Sequence, residues 1–376
     1  MSTIKVNNID PPNVGEGVSI DGLQMPTAGA FSNRNLIING AMQVAQRGTS
    51  ITSTGYFIDR FSLETSSGDT VASQLDTTAG DTPYTLGFRK HARIANTSGT
   101  TASNGFRDLR YRIEAQDIAN SGWNYTSSSS YLTLSFWVRS SVAQTYSVYM
   151  RSMNGTKQRY AYTFALSANT WTKVTQSFPG DSNITIDNNN SAGFEININP
   201  YWGPSYTANS VPNNVWQPYV SGERVQDMTN TWATTVGATF DVTGVQLEVG
   251  SKATPFEHES YGQTVEKCKR YYRRLSSIGG GYSTIMVGHA SGPQNGTAHM
   301  PFFPEMRTGP DFDCSATSDF DVEPRDKALT SKPTINDTSK DQIQLNFACD
   351  GNLSIGESAW LTVDINNGFV EFDAEL

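Results

Sequence analysis

The stretch Thr243–Leu275, TGVQLEVGSKATPFEHESYGQTVEKCKRYYRRL, holds two periodicities in one run. Its first part, read with the residues just before it (TFDVTGVQLEVG), alternates. Phe240 and Val242 share one face, as do Val245, Leu247 and Val249. Alternation at period two marks a strand with one face turned to a core. The phase slips by one residue at Thr243-Gly244, and a β-bulge there would put all five apolar side chains in the core. The second part has helical spacing. Ser260 stands at a cap position with Gln263 at the capping-box position. Tyr261, Val265, Cys268, Tyr272 and Leu275 follow at spacings of four, three, four and three. That pattern predicts a helix over Tyr261–Leu275 with a heptad seam, supported by Glu266 four residues before Arg270. The seam has two uses: packing on the chain's own β region, or lining a threefold axis. The change of period marks a domain boundary, with Pro255 at its hinge.

Ahead of the boundary, from Asn35 to about Phe256, strand follows strand. YFIDRFSLE sets Phe57, Phe61 and Leu63 on one face. YLTLSFWVRSS does so for Leu132, Leu134, Phe136 and Val138, with Trp137 opposite. RYAYTFAL aligns Tyr160, Tyr162, Phe164 and Leu166, and GFEINI aligns Phe194, Ile196 and Ile198. Strands at this spacing, broken by Asn, Gly, Ser and Pro, predict a β-sandwich. Behind the boundary, GGGY is a break, and STIMVGHA, TAHMPFF, DFDCSATSDFDVE, DQIQLNFACD, SAWLTVDI and GFVEFDAEL read as a second β domain. At the other end, STIKVNNI and VSIDGLQM each read as an alternating run, separated by turn chemistry at PPNVGEG. A hairpin of that size has no core of its own and needs a neighbour.

Four pieces carry a family resemblance. NLIINGAMQVAQRGTS (Asn35–Ser50) followed by YFIDRF resembles the opening of jelly-roll, carbohydrate-binding-module-like domains in bacteriophage tail and fibre proteins. GVQLEVGSKATPFEHESYGQTVEKCKRYY resembles their close. MPFFPEMRTGPDF resembles the F-P-x-M-R-x-x-P element that follows the helix in these proteins, and the opening TIKVNNI piece is also similar to theirs. The resemblance implies an all-β chain in four parts. These are an N-terminal attachment arm (1–31), a jelly-roll domain (32–256), a hinge with a short helix (257–279) and a C-terminal β domain (280–376). It implies a structural virion protein without enzymatic activity: a tail fibre, homotrimeric about Tyr261, Val265, Cys268, Tyr272 and Leu275. Its arm would bind other virion proteins, and it would adhere to a host-surface glycan or lipopolysaccharide. A head decoration or tail accessory touching only virion proteins is the alternative, followed by a glycan depolymerase.

Composition bounds these readings. At 376 residues the chain exceeds the usual single domain. Charged residues are only 17%, so Ser, Thr, Asn, Gln and Gly must supply the polar surface, as in a turn-rich β protein. The net charge of −9 argues against nucleic acid as a partner, since such affinity comes from clustered Lys and Arg. No stretch approaches the ~18 apolar residues of a membrane span, so no insertion is expected. MSTIKVNNIDPP lacks the apolar core of a signal peptide, which fits synthesis in a host cytoplasm and release inside a virion. Three cysteines in no zinc pattern read as buried free thiols, Cys314 with Cys349 being the pair to consider otherwise.

Catalytic motifs are missing: His91, His258, His289 and His299 form no metalloprotease pattern, and no nucleophile elbow or phosphate loop appears. His258 reads as a solvated hinge residue, and His289 and His299 can share a hairpin face. Glu64, Asp69, Glu114, Asp117, Glu195 and Glu248 could supply a hydrolytic carboxylate pair, but sequence gives no way to pair them. No cofactor is expected beyond a structural calcium, for which Asp181 and Asp187 in DSNITIDNNN are the candidate ligands; an Asx-rich turn is the alternative. For binding, Asn199–Trp232 reads as long loops carrying Tyr201, Trp202, Tyr206, Trp216, Tyr219 and Trp232. Such rings either form a glycan platform or seal the ends of the sandwich.

Overall fold

A computed structural model describes residues 32–277, 283–363 and 368–376, together with two short strands near the N-terminus. The chain is all-β and divides into two compact units, residues 1–261 with Leu376, and residues 262–375. No helix of the described residues is long and apolar enough to cross a membrane.

The first unit is a sandwich of two antiparallel sheets. The seven-stranded sheet runs, in spatial order, β14 (Trp216–Pro218), β11 (Gln158–Leu166), β10 (Gln144–Ser152), β13 (Ala192–Trp202), β8 (Phe106–Glu114), β5 (Phe61–Ser66) and β4 (Gly55–Ile58). The six-stranded sheet runs β12 (Thr172–Pro179), β9 (Tyr131–Ser140), β15 (Thr239–Val249), β7 (Lys90–Asn96), β6 (Thr70–Asp76) and β3 (Ser50–Ile51). Short helices α1 (Thr82–Thr85), α2 (Ala115–Ala119) and α3 (Thr231–Thr234) connect strands. The inward faces merge into one core. Leu132, Leu134, Phe136 and Val138 of β9 are sealed from solvent. Phe136 meets Phe164 of β11 at 5.8 Å, and Tyr146 of β10 meets Phe240 of β15 at 5.1 Å. Each such side chain contributes roughly 1.5–3 kcal/mol of burial.

The slip in β15 is a bulge. Thr243 pairs with Trp137 and Gln246 with Ser135, so Gly244 and Val245 together face one residue of β9. Gly244 takes a φ of +63°, and a Cβ there would lie 2.7 Å from the Phe88 ring. Phe240, Val242, Val245 and Leu247 are buried, and Val249 packs against them half-buried. Past the strand, Glu257 turns back onto the start of the sandwich. Its carboxylate accepts backbone N–H groups from Asn33 (2.7 Å), Arg34 (2.6 Å) and Asn35 (3.0 Å), and Leu36 N donates to Leu247 O. The opening and closing motifs of the domain are thus held together by direct bonds.

Two expectations for this unit change. YFIDRFSLE is not one strand but the hairpin β4–β5, turning at Asp59-Arg60 with Arg60 at φ +73°. The turn is buried because Asp59 accepts from Gln46 N and Nε2, and Arg60 donates to Arg112 O. Asn199–Trp232 is not all loop. β13 continues through Trp202, accommodating Pro200 at a register shift between Ile198 and Tyr201, where the lost N–H is tolerated. The same span also contributes β14 and α3.

The second unit carries a three-stranded sheet, β16 (Tyr272–Ser276), β25 (Phe369–Asp373) and β19 (Asp311–Cys314). Its seven-stranded sheet is ordered β21 (Lys327–Ala328), β20 (Phe320–Glu323), β24 (Ser358–Val363), β17 (Ser283–Gly292), β18 (Asn295–Pro301), β23 (Gln342–Ala348) and β22 (Thr334–Thr338). Its core joins Met286, Ile343, Leu345, Leu361, Val363 and Phe372. Cys268, Cys314 and Cys349 are buried free thiols. His289 pairs with Thr297 and His299 with Val287, which puts both imidazoles on one face of the β17–β18 hairpin.

The helix expected over Tyr261–Leu275 is shorter. α4 spans Tyr261–Cys268, the chain turns at Tyr271, and Tyr272–Ser276 pairs with β25. Two adjacent tyrosines and five residues of ladder pairing outweigh the helical preference of Lys, Arg and Leu. Cys268 is buried on the helix, Tyr272 is buried on the strand, Val265 is half-buried, and Tyr261 and Leu275 are exposed. The five heptad positions therefore do not form one helical stripe.

The attachment arm lies outside the described residues except for β1 (Ser19–Ile20), antiparallel to β2 (Leu23–Gln24). VSIDGLQM, read as one run, thus contains two paired strands.

Candidate functional site

A pocket of about 240 Å³ opens on the outer face of the seven-stranded sheet of the sandwich. Strand alternation builds its floor. With Leu109, Tyr111 and Ile113 of β8 turned to the core, Asp108, Arg110 and Arg112 point the other way. The same logic turns out Glu195 and Asn197 of β13, Tyr149 and Arg151 of β10, and Glu64 of β5. A connection after β13 forms the far wall. It is fixed by a bridge between Thr207 and Val225 and by Arg224 N donating to Tyr206 O (2.8 Å). Val225 joins Tyr149, Ala161 and Trp202 in a small apolar cluster that seats this wall on the sheet.

Glu195 anchors the floor. Its Oε2 accepts from Arg112 Nε (2.9 Å), and its Oε1 accepts from Arg151 Nη2 (2.7 Å) and Asn197 Nδ2 (3.1 Å). Burial alone would raise this carboxyl, but the Arg151 and Arg112 guanidiniums outweigh it and hold it below the ordinary range. Asp108 goes the opposite way. Burial pushes its carboxyl well above the usual 3.8, against the pull of Arg110, and Glu195 and Glu64 add to the rise. Glu64 is raised by burial too, although Arg110 Nη2 lies 2.5 Å from its Oε1.

The floor also carries unmet capacity. Asp108 Oδ1, Asn197 Oδ1 and Trp202 Nε1 are buried and have no hydrogen-bond partner among the described residues, as is true of Nε on Arg110 and Arg151. Native proteins leave few buried polar atoms unpaired, and several converging on one pocket point to a ligand or to water held there. The rings around them are rigidly placed. Phe106 stacks on Trp202 at 4.6 Å and 7°, and the Arg224 guanidinium lies 4.2 Å over the same indole. Trp202 therefore offers its edge N–H rather than a free face. Arg151 lies 4.4 Å over Tyr219.

The six aromatic residues singled out in sequence separate into two groups. Trp202 and Tyr219 line the pocket, and Tyr206 packs edge-on against Trp202 at 4.9 Å. Tyr201, Trp216 and Trp232 belong to the sandwich core; Trp216 Nε1 donates to Pro179 O and Trp232 Nε1 to Thr239 O. Of the acids named in sequence, Glu64 and Glu195 meet here. Asp108, Arg110, Tyr149, Arg151, Asn197 and Arg224 were missed, although the alternation of FRDLRYRIE carries a signal for two of them. Asp181 Oδ1 accepts from Asn183 within its own turn, and Asp187 N donates to Asn154 Oδ1. No group of three metal-ligating side chains occurs among the described residues.

A second pocket of about 240 Å³ lies on the other sheet, against Leu86, Phe88, Trp137, Lys173, Phe256 and the exposed His258. None of its lining residues holds a buried unpaired polar side-chain atom. The first pocket is the better candidate for selective recognition.

No family model and no curated protein matches the chain. Among solved structures, it is similar to "CBM4 structure and function", with 11% identity and a TM-score of 0.30 over 56% of this chain and 97% of that one. It is also similar to the family 11 carbohydrate-binding module of the cellulosomal cellulase Lic26A-Cel5E of Clostridium thermocellum, with 12% identity and a TM-score of 0.27 over 56% and 99%. A cyclase from Fischerella sp. TAU matches at 8% identity and a TM-score of 0.32 over 58% and 97%. Likeness at this level assigns no ligand.

Proposed function

We propose that this chain is a non-catalytic adhesion protein of a bacteriophage particle, a tail fibre that grips a host-surface glycan in the pocket on its seven-stranded sheet. The observation that carries glycan binding is the set of buried, unpartnered groups on the pocket floor. Asn197 Oδ1 and Asp108 Oδ1 accept, and Trp202 Nε1 donates. Sugar hydroxyls are donors and acceptors at once and match such a set. The virion role, the homotrimer and the virion contacts of the arm rest on the sequence resemblance.

The pocket's carboxyl groups with oppositely displaced pKa values also invite a hydrolytic reading. Glu195 weakens it, because both its oxygens are already taken by Arg112, Arg151 and Asn197. Binding is the reading favoured.

Trp202→Ala removes the indole N–H and the pocket wall. Affinity for a bound polysaccharide, read by affinity electrophoresis, is expected to fall by about tenfold or more. Unchanged affinity would remove this pocket from the proposal. Reducing ends released from the same polysaccharide would revive hydrolysis.

A further inference from the structure

Arg110, Arg151 and Arg224 line the pocket together with Glu64, Asp108 and Glu195, and Arg112 reaches Glu195 from beside it. Glu64 is matched to Arg110, and Glu195 is shared by Arg112 and Arg151. Arg224 has no ion-pair partner among the described residues. The chain as a whole carries −9, so an arginine left without an ion pair is not what its composition would favour.

Arg224 is fixed in place before any ligand arrives. Its guanidinium lies 4.2 Å over Trp202 and 4.7 Å over Tyr206. Nε donates to Ser221 O (3.1 Å) and Nη2 to Ser221 Oγ (3.2 Å). A guanidinium has five N–H donors, and those two bonds leave the rest unspent. Because stacking has already ordered the side chain, an anion would gain a charge-assisted bond without the usual entropic loss. Asp108 makes no ion pair with it, and burial raises the Asp108 carboxyl above its ordinary range.

We infer that the pocket selects a saccharide bearing an anionic group, a carboxylate or a phosphate, which Arg224 binds while Trp202 Nε1 and Asn197 Oδ1 meet hydroxyls. The inference rests on the glycan-binding reading and narrows it. A neutral sugar would leave the Arg224 charge, in a partly desolvated pocket, unmatched.

The test compares one polymer in two charge states. The full chain is titrated with polygalacturonate and with its fully methyl-esterified form, and separately with a glycerol-phosphate polymer. An anionic polymer is expected to bind about tenfold tighter than the ester at low ionic strength. That ratio should shrink as salt is raised. Tighter binding of the glycerol-phosphate polymer than of polygalacturonate assigns phosphate, and the reverse assigns carboxylate. Arg224→Gln should bring the ratio toward one, while Arg224→Lys should keep part of it through charge alone. Equal affinity for the two forms of polygalacturonate and no gain with the phosphate polymer would overturn the inference. So would a ratio that Arg224→Gln leaves intact. If all polymers bind alike and Trp202→Ala abolishes that binding, only the anion preference falls. If none binds, the glycan reading falls with it.

Discussion

The two sheets of the sandwich carry the same device on their outer faces and use it differently. In each, a central strand presents a buried acid between arginines of its two neighbours. Glu195 of β13 stands opposite Arg112 and Arg151. Asp241 of β15 stands opposite Arg93 and Arg139. The Asp241 carboxylate is saturated: Arg93 Nε and Nη2 bond its two oxygens at 2.7 and 2.9 Å, and Arg139 Nε and Nη2 both bond Oδ2. That leaves the buried His91, with Nε2 3.8 Å from Oδ1, as the one unpaired side chain beside it among the described residues. The remaining reach of Arg139 goes to Asp81, which also accepts from Trp171 Nε1. Two guanidiniums meet two carboxylates there. The Glu195 cluster stays open, with buried atoms of Asp108, Asn197 and Trp202 unpaired and Arg224 spending only two of its donors, on Ser221. A buried ion pair is therefore no sign of a site by itself; several unmatched groups converging on one pocket are.

The largest effect that can sharpen this comparison is on the closed cluster. Asp241→Asn puts an amide N–H where Arg93 and Arg139 both donate. Breaking a buried pair of this kind should cost roughly 3–5 kcal/mol of stability, read by chemical denaturation, with no change in saccharide affinity beyond the loss of folded protein. Glu195→Gln, the same chemistry on the open cluster, should cost less, about 1.5–3 kcal/mol. It should also strengthen binding of an anionic polymer by removing a negative charge from the pocket. If Glu195→Gln costs as much as Asp241→Asn and leaves affinity untouched, the two clusters are equivalent and the contrast collapses.

The contrast was only half visible in the sequence. Inward positions announce themselves: YLTLSFWV and GFEINI alternate cleanly, and Leu132, Leu134, Phe136, Val138, Phe194, Ile196 and Ile198 are in the core. The bulge at Gly244 was legible because a phase slip sat on a glycine. Outward positions give no comparable signal, because their meaning depends on which strands become neighbours. Arg112 and Arg151 are far apart in sequence and meet only because β8 and β10 flank β13. The aromatic run after Asn199 marked the right region, yet Tyr201, Trp216 and Trp232 were drawn into the core. Alternation separates Tyr201 from Trp202, and a loop reading of Pro200 hid it. The helix failed for a related reason. KRYYRRL fits a heptad locally, but its partner strand Phe369–Asp373 lies a hundred residues on, and long-range pairing prevailed.

The smallest effect tests whether the open cluster is strained by its own emptiness. Burial displaces the Asp108 carboxyl well above the usual 3.8. An acid whose folded pKa exceeds its unfolded one binds more protons in the folded state between the two values, so stability falls as pH rises through that window. The stability that a protonated Asp108 allows is fully present below its unfolded pKa and is lost as pH climbs toward the folded one. Asp108→Asn cannot ionise and should escape this loss. Its melting temperature should match the parent near the usual aspartate pKa of 3.8 and exceed it increasingly toward neutral pH. Binding of an anionic polymer should carry the parent's fall on to higher pH, because an added negative charge beside Asp108 raises its folded pKa further. A mutant that is less stable than the parent at neutral pH would mean that an ionised Asp108 is bonded into the floor, as Asp241 is on the opposite sheet. The pocket would then be closed in the same sense, and the asymmetry between the two faces would be gone.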